Sequence, residues 1–257
     1  METNLKKVAS VGMGQKIAFG FGMLANQMFP AALGVFIIVL VQDLGFAALL
    51  WGIIQFAPRI FDAITDPLMG FISDNTKSKW GRRRQYVFIG GILMGIAYVA
   101  MWQLYEDDGI VYNFIYFFSW SLVFYLGLTI FSVPYVAMGY EISDDFHERT
   151  QIMAIAQFIG QWAWVIAPWF WVILYDPAWF PEGAGQGVRD LSIWVAIPCT
   201  IFAIIPAVFI KSKSTTERTD FVPITTSYIL KSIKGIFISA FEAFKIKQFK
   251  KIAFATF

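Results

Sequence analysis

Cysteine and histidine each occur once in 257 residues. Cys199 lies inside an apolar run, so no disulfide within the chain and no CxxC metal site can form. Its plain role is a small core residue. His147 stands in a charged loop, where a surface role is the default. Charge is scarce too: charged residues make up 15% of the chain, against about a quarter in soluble domains. No short-period repeat is present, which excludes a solenoid. The first apolar stretch lacks a small-residue cleavage site and runs about 25 residues, roughly twice the apolar core of a signal peptide. It reads as an uncleaved membrane span. The apolar segments are continuous rather than alternating, which argues against a β-barrel.

What the chain has instead is apolar length. Hydrophobic residues make up 58% of it, and the mean hydropathy is +0.60. Six segments are long enough to cross a bilayer, at 17–41, 48–72, 85–104, 111–138, 150–175 and 190–210. Unpaired backbone is not tolerated in hydrocarbon, so these segments should be helices. The fold class is an all-α integral membrane bundle.

The loops sort by charge. One side receives Lys6, Lys7, Lys16, Lys77, Lys79, Arg82, Arg83, Arg84, Arg149, Lys211 and Lys213. The other receives Asp43, Glu106, Asp107, Asp108, Asp176 and Glu182, with Arg189 as its basic residue. The positive-inside rule places the basic side, and the N-terminus, in the cytoplasm of a multi-pass cell-membrane protein. Trp51, Trp102 and Trp179 fall near span ends, as an aromatic belt requires. Residues 1–211 thus form a six-span unit. Segment 212–249 reads as a cytoplasmic linker with an amphipathic helix, its stripe being Ile229, Ile233, Phe237, Phe241 and Phe244. Residues 250–257 read as the start of a seventh span of a longer chain. The net charge of +2 says little, and no nucleic-acid partner is expected. Membrane lipid surrounds the bundle.

Span two carries Arg59, Asp62 and Asp66 within one apolar segment. Charges at mid-membrane cost several kcal/mol each, so they need a reason. Asp62 and Asp66 are four apart and share one helix face, about 6 Å apart along the axis. Thr65 neighbours both. Two carboxylates and a hydroxyl make an oxygen-rich cradle for a small hard cation. Mutual repulsion of the carboxylates favours holding Na⁺ or a proton between them. Pro67 removes a backbone donor and frees a carbonyl nearby. The plainer alternative is a buried Arg59–Asp62 ion pair, with Asp66 capping a kink.

The next loop holds Asp74, Gly81, Arg82, Arg83 and Arg84, and the loop after span four holds Glu148 and Arg149. Such charges can lock one side of a transporter and release it. They can equally be anchors. Gln27, Gln157 and Gln161 are polar groups in apolar spans. They suit a wet cavity and a solute hydroxyl, or a bond to a neighbouring helix. Trp120, Tyr125, Trp162 and Trp164 lie in spans four and five, where core or lipid contact is the default and ring stacking on a sugar the alternative.

The segment Arg59-Ile-Phe-Asp62-Ala-Ile-Thr65-Asp66-Pro67-Leu-Met-Gly70, followed by Trp80-Gly81-Arg82-Arg83, resembles the glycoside–pentoside–hexuronide:cation symporters of the major facilitator superfamily, the family typified by melibiose permease. Lys16-Ile-Ala-Phe-Gly20-Phe-Gly22, Pro134-Tyr135 and Glu148-Arg149-Thr150 match as well, and the likeness runs from about 16 to 211. It implies a twelve-helix carrier of two six-helix halves, with the solute between them. This chain would then be the N-terminal half, and the C-terminal half would be needed for activity. It implies that Asp62, Thr65, Asp66 and Thr129 bind the coupling ion, Na⁺ or H⁺, with no other cofactor. The family's sugar positions fall on Gln27, Ser132, Val136 and Gln157, where the type member carries two aspartates, a tryptophan and an arginine. Arg59, Tyr125 and Gln161 join them as cavity candidates. A neutral solute, such as another sugar or glycoside, fits these uncharged positions better than a galactoside.

Other classes compete with the symporter. A membrane enzyme could use paired aspartates, but the GxGD and DGxxAR signatures are absent, so no enzyme is expected. A lipid-like solute is the alternative within transport, because distant relatives move lysolipids. A non-transporting sensor or scaffold is the remaining class.

Overall fold

The computed structural model describes residues 11–210 and three isolated positions, Gly235, Glu242 and Lys245. Apart from those three positions, the linker and amphipathic helix at 212–249 and the seventh-span start at 250–257 lie outside the described residues. Among the described residues there is no strand. Six helices follow one another: α1 (Met13–Gln42), α2 (Ala48–Asp74), α3 (Arg84–Met101), α4 (Ile110–Glu141), α5 (Phe146–Leu174) and α6 (Ala184–Phe209). A 3₁₀ turn at Glu106–Asp108 joins α3 to α4.

Five of the six are long and apolar enough to cross a membrane. The exception is α2, whose 27 residues include Arg59, Asp62 and Asp66. The chain is a multi-pass membrane bundle, and the one helix that breaks the hydropathy rule carries the charges that need a partner.

Helix ends differ from the sequence reading by up to six residues, and two of these differences bear on Arg189. The third helix ends at Met101, not 104, because side chains take over the carbonyls that follow it. Arg189 on α6 donates to Leu104 O at 2.8 Å, and Asn113 on α4 donates to Tyr105 O at 2.7 Å. Arg189 is therefore a helical residue tying α6 to the end of α3, rather than a loop charge. The sixth helix starts at Ala184, six residues before the apolar run, because the Gly- and charge-containing turn 184–190 is already helical.

Neighbouring helices pack in the order α2, α4, α3, α6, α1, α5, so α2 and α5 stand at the two ends of the arc. Close approach comes from missing side chains. A Cβ on Gly90 would sit 2.5 Å from Phe131 N, and one on Gly127 would sit 2.8 Å from Met94 N. Each helix of the α3–α4 pair thus admits the other's backbone. Aromatic rings fill the centre: Phe36 meets Trp102 at 5.5 Å, Trp102 meets Phe117 at 5.1 Å and Phe29 meets Tyr98 at 5.0 Å. Tyr135 of the Pro134-Tyr135 motif donates its hydroxyl proton to Phe19 O, tying α4 to α1. Much of the aromatic content is core.

Candidate cation and solute site

The buried residues of α2 are Ile54, Pro58, Met69 and Ser73. They form a stripe at helical spacing, and α4 is the helix it meets. Asp62, Thr65 and Asp66 lie along the same stripe, at the α2–α4 seam. Opposite them α4 presents Tyr125, Thr129, Ser132 and Val136, spaced to share one face. Thr129 is fully buried there.

Three of the four predicted cation residues meet. Thr129 Oγ1 donates to Asp66 Oδ1 at 2.8 Å. Thr65 Oγ1 lies 3.4 Å from Thr129 Oγ1 and 3.1 Å from Phe61 O. A hydroxyl carries one proton. If each proton takes its shorter bond, Thr129's goes to Asp66 and Thr65's goes to the Phe61 carbonyl. The two threonine oxygens then face each other with lone pairs only. The fourth residue, Asp62, has a buried Oδ1 with no hydrogen-bond partner among the described residues. A buried carboxylate oxygen without a donor is costly unless a cation or proton occupies the place. The donor set, two carboxylates and two hydroxyls, suits Na⁺ in kind.

Arg59 does not form the ion pair with Asp62 that a purely structural role would require. Its guanidinium lies 6.0 Å from the centre of the Tyr125 ring, at the outer limit of a cation–π contact. Ser132 and Val136 are half-buried on α4. Gln157 and Gln161 are exposed on α5. Gln27 on α1 accepts a hydrogen bond from Trp164 Nε1 of α5 at 3.0 Å. Direct contacts thus gather two groups, one on α2–α4 and one on α1–α5.

The predicted gate residues separate into four places. Arg83 pairs with Asp74 and, at 3.1 Å, with Glu141 of α4. It also donates to Ala137 O at 2.7 Å. Arg82 pairs with Glu141 as well. Gly81, at φ 100°, makes the turn that swings these arginines back onto α2 and α4. Arg84 points elsewhere and caps the end of α6, donating to Ala207 O at 2.7 Å and Val208 O at 3.0 Å. Glu148 is buried and accepts from Ser143 Oγ and from Val11 N, both at 2.6 Å, while Lys16 Nζ lies 3.6 Å away. Arg149 lines a groove of about 570 Å³ with Tyr140, Thr150, Met153 and Gln157. Sequence reasoning missed Glu141 and Lys16 as partners. Glu141 ends the α4 run and was legible as a charge; its partner was not, because Arg82 and Arg83 lie some sixty positions away.

The apolar helices form a membrane bundle, with half-buried Asp62 and exposed Asp66 gathered at its α2–α4 seam. The family described as MFS/sugar transport protein matches residues 18–239, and the chain belongs to that family. It is similar to an uncharacterised symporter of Synechocystis, with 27% identity over 71% of this chain and 34% of that protein. It is similar to the lactose permease of Leuconostoc lactis, with 27% identity over 79% of this chain and 35% of the permease. It is also similar to the sodium-dependent lysophosphatidylcholine symporter 1 of Xenopus tropicalis, with 31% identity over 52% of this chain and 26% of that symporter. The chain spans about a third of the length of the curated relatives it matches. All three are named as transporters, and the described residues form the six-helix N-terminal bundle of a major facilitator superfamily carrier.

Proposed function

We propose that the carrier containing this chain is a cation-coupled symporter of a neutral, sugar-like solute. The observation that carries the reading is the α2–α4 seam. There Asp66, Thr129 and Thr65 converge through 2.8 and 3.4 Å contacts, next to the donor-less Oδ1 of Asp62. Na⁺ or H⁺ neutralises the aspartate pair and draws α2 and α4 together. That organises the polar faces on which the solute binds, and the loaded carrier then rocks to open the other side. Coupling is reciprocal, so solute tightens the ion as the ion tightens solute. The Asp74–Arg83–Glu141–Arg82 cluster serves as the gate at the basic end, and that end faces the cytoplasm.

The test uses the complete carrier in proteoliposomes. Uptake of labelled lactose, methyl glycosides and lysophosphatidylcholine is measured under a Na⁺ gradient, a proton gradient or neither. One gradient should drive glycoside uptake, and Asp62→Asn should abolish that dependence. An Asp62→Asn carrier as gradient-dependent as wild type would sink the reading. Uptake of lysophosphatidylcholine alone would favour the second reading, a lipid-like solute. The Xenopus relative is what keeps that reading in play.

A further inference from the structure

Trp164 sits well inside α5, in the part of a span where tryptophan is uncommon, away from the interfacial belts. Its ring is half exposed, at 51%. Yet its N–H is not left to solvent or lipid: it donates to Gln27 Oε1 of α1 at 3.0 Å. The indole N–H can only donate, so it dictates how the Gln27 amide lies. The carbonyl must face Trp164, and the amide NH₂ must face away. No hydrogen bond of that NH₂ is present among the described residues, so two donors stay available. Gly160 makes the contact feasible. A Cβ there would sit 2.6 Å from Met23 Cγ and 3.3 Å from Gln27 Cγ. The same α5 face carries Gln157 and Gln161, seven and three positions before Trp164 and both exposed.

We propose that Trp164 is a solute-contacting residue. Its ring is the stacking surface for a neutral pyranoside, and the amide it orients on Gln27 donates to the sugar's oxygens. A flat aromatic face beside fixed amide donors suits a ring with an apolar C–H face and oxygen acceptors at its edge. It offers nothing for a charged headgroup. The assignment rests on the symporter reading, and it adds the α1–α5 contact to the solute positions.

The test measures equilibrium binding of p-nitrophenyl α- and β-pyranosides to the purified complete carrier, together with the cation dependence of that binding. Trp164→Leu should weaken glycoside binding by about tenfold, the scale of one lost aromatic contact. Trp164→Phe keeps a ring and should lose about threefold on the same scale. Gln27→Leu should weaken binding in both the wild-type and the Trp164→Phe background. Normal ion-induced thermal stabilisation of each variant shows that it folds and still holds its ion. If Trp164→Leu binds every glycoside like wild type while Asp62→Asn removes the cation dependence, Trp164 faces lipid and the assignment is overturned, yet symport stands. If wild type binds glycosides with no cation dependence and Trp164→Leu weakens them, the symport reading fails and the Trp164 contact survives. A wild-type carrier that binds no pyranoside overturns the assignment outright.

Discussion

Glu148 shows what a buried charge needs at the residue scale. It is 8% exposed and has Ser143, the Val11 amide and Lys16 around it. Lys16 is itself 6% exposed. Removing one member of such a pair leaves the other charge stranded, which costs about 3–5 kcal/mol. Lys16→Met should therefore lower the melting temperature of the complete carrier sharply. The double variant Lys16→Met with Glu148→Gln should recover part of that loss, because no lone charge remains. A double-variant loss equal to the sum of the two single losses would show that the pair is not coupled. Neutral Gln157 and Gln161 carry no charge to satisfy, and both are exposed on α5.

Helix pairing is decided at the scale of the element by where side chains are missing. On α3, Gly90 faces the backbone of Ile130 and Phe131, which cannot rotate away. Gly90→Ala should destabilise the α3–α4 pair by about 1–3 kcal/mol, the usual range for overpacking. On α1, a methyl group added at Gly34 would meet nothing within 4 Å, so Gly34→Ala is the control. It should be neutral or stabilising, since alanine favours helix over glycine by about 1 kcal/mol. Thermal unfolding of both variants in detergent checks the pair. Equal stability of the two would mean that α3 and α4 do not approach as closely as the structure shows. The α2–α4 seam needs no glycine of this kind, because Gly70 has only Val133 near it, at 3.8 Å.

At the scale of the whole molecule the two ends of the bundle differ in chemistry. The basic end holds the Arg82–Arg83–Asp74–Glu141 cluster. The acidic end holds Asp43, whose carboxylate accepts from Tyr175 at 2.9 Å. The proposed orientation, with the basic end inside, predicts that Ala178→Cys reacts with a membrane-impermeant maleimide added to intact cells and Lys79→Cys only after permeabilisation. The reverse labelling pattern would invert the orientation.

The sequence by itself determined the solvent, the number of long helices and the charged stripe on α2. These depend on local properties: apolar run length, loop charge and four-residue spacing. It also carried the family likeness through Asp62–Gly70 and Gly81–Arg83. It left Arg59–Asp62 open as an ion pair, grouped Arg84 with Arg82 and Arg83 although Arg84 caps α6, and missed Glu141 and Lys16 as partners. Those outcomes depend on which helices are neighbours. Only the packing order α2, α4, α3, α6, α1, α5 brings Thr129 to Asp66, Arg84 to the end of α6 and Trp164 to Gln27. Partners 63 to 137 positions apart leave no local trace, because helix spacing reports which face a residue occupies and never what that face meets.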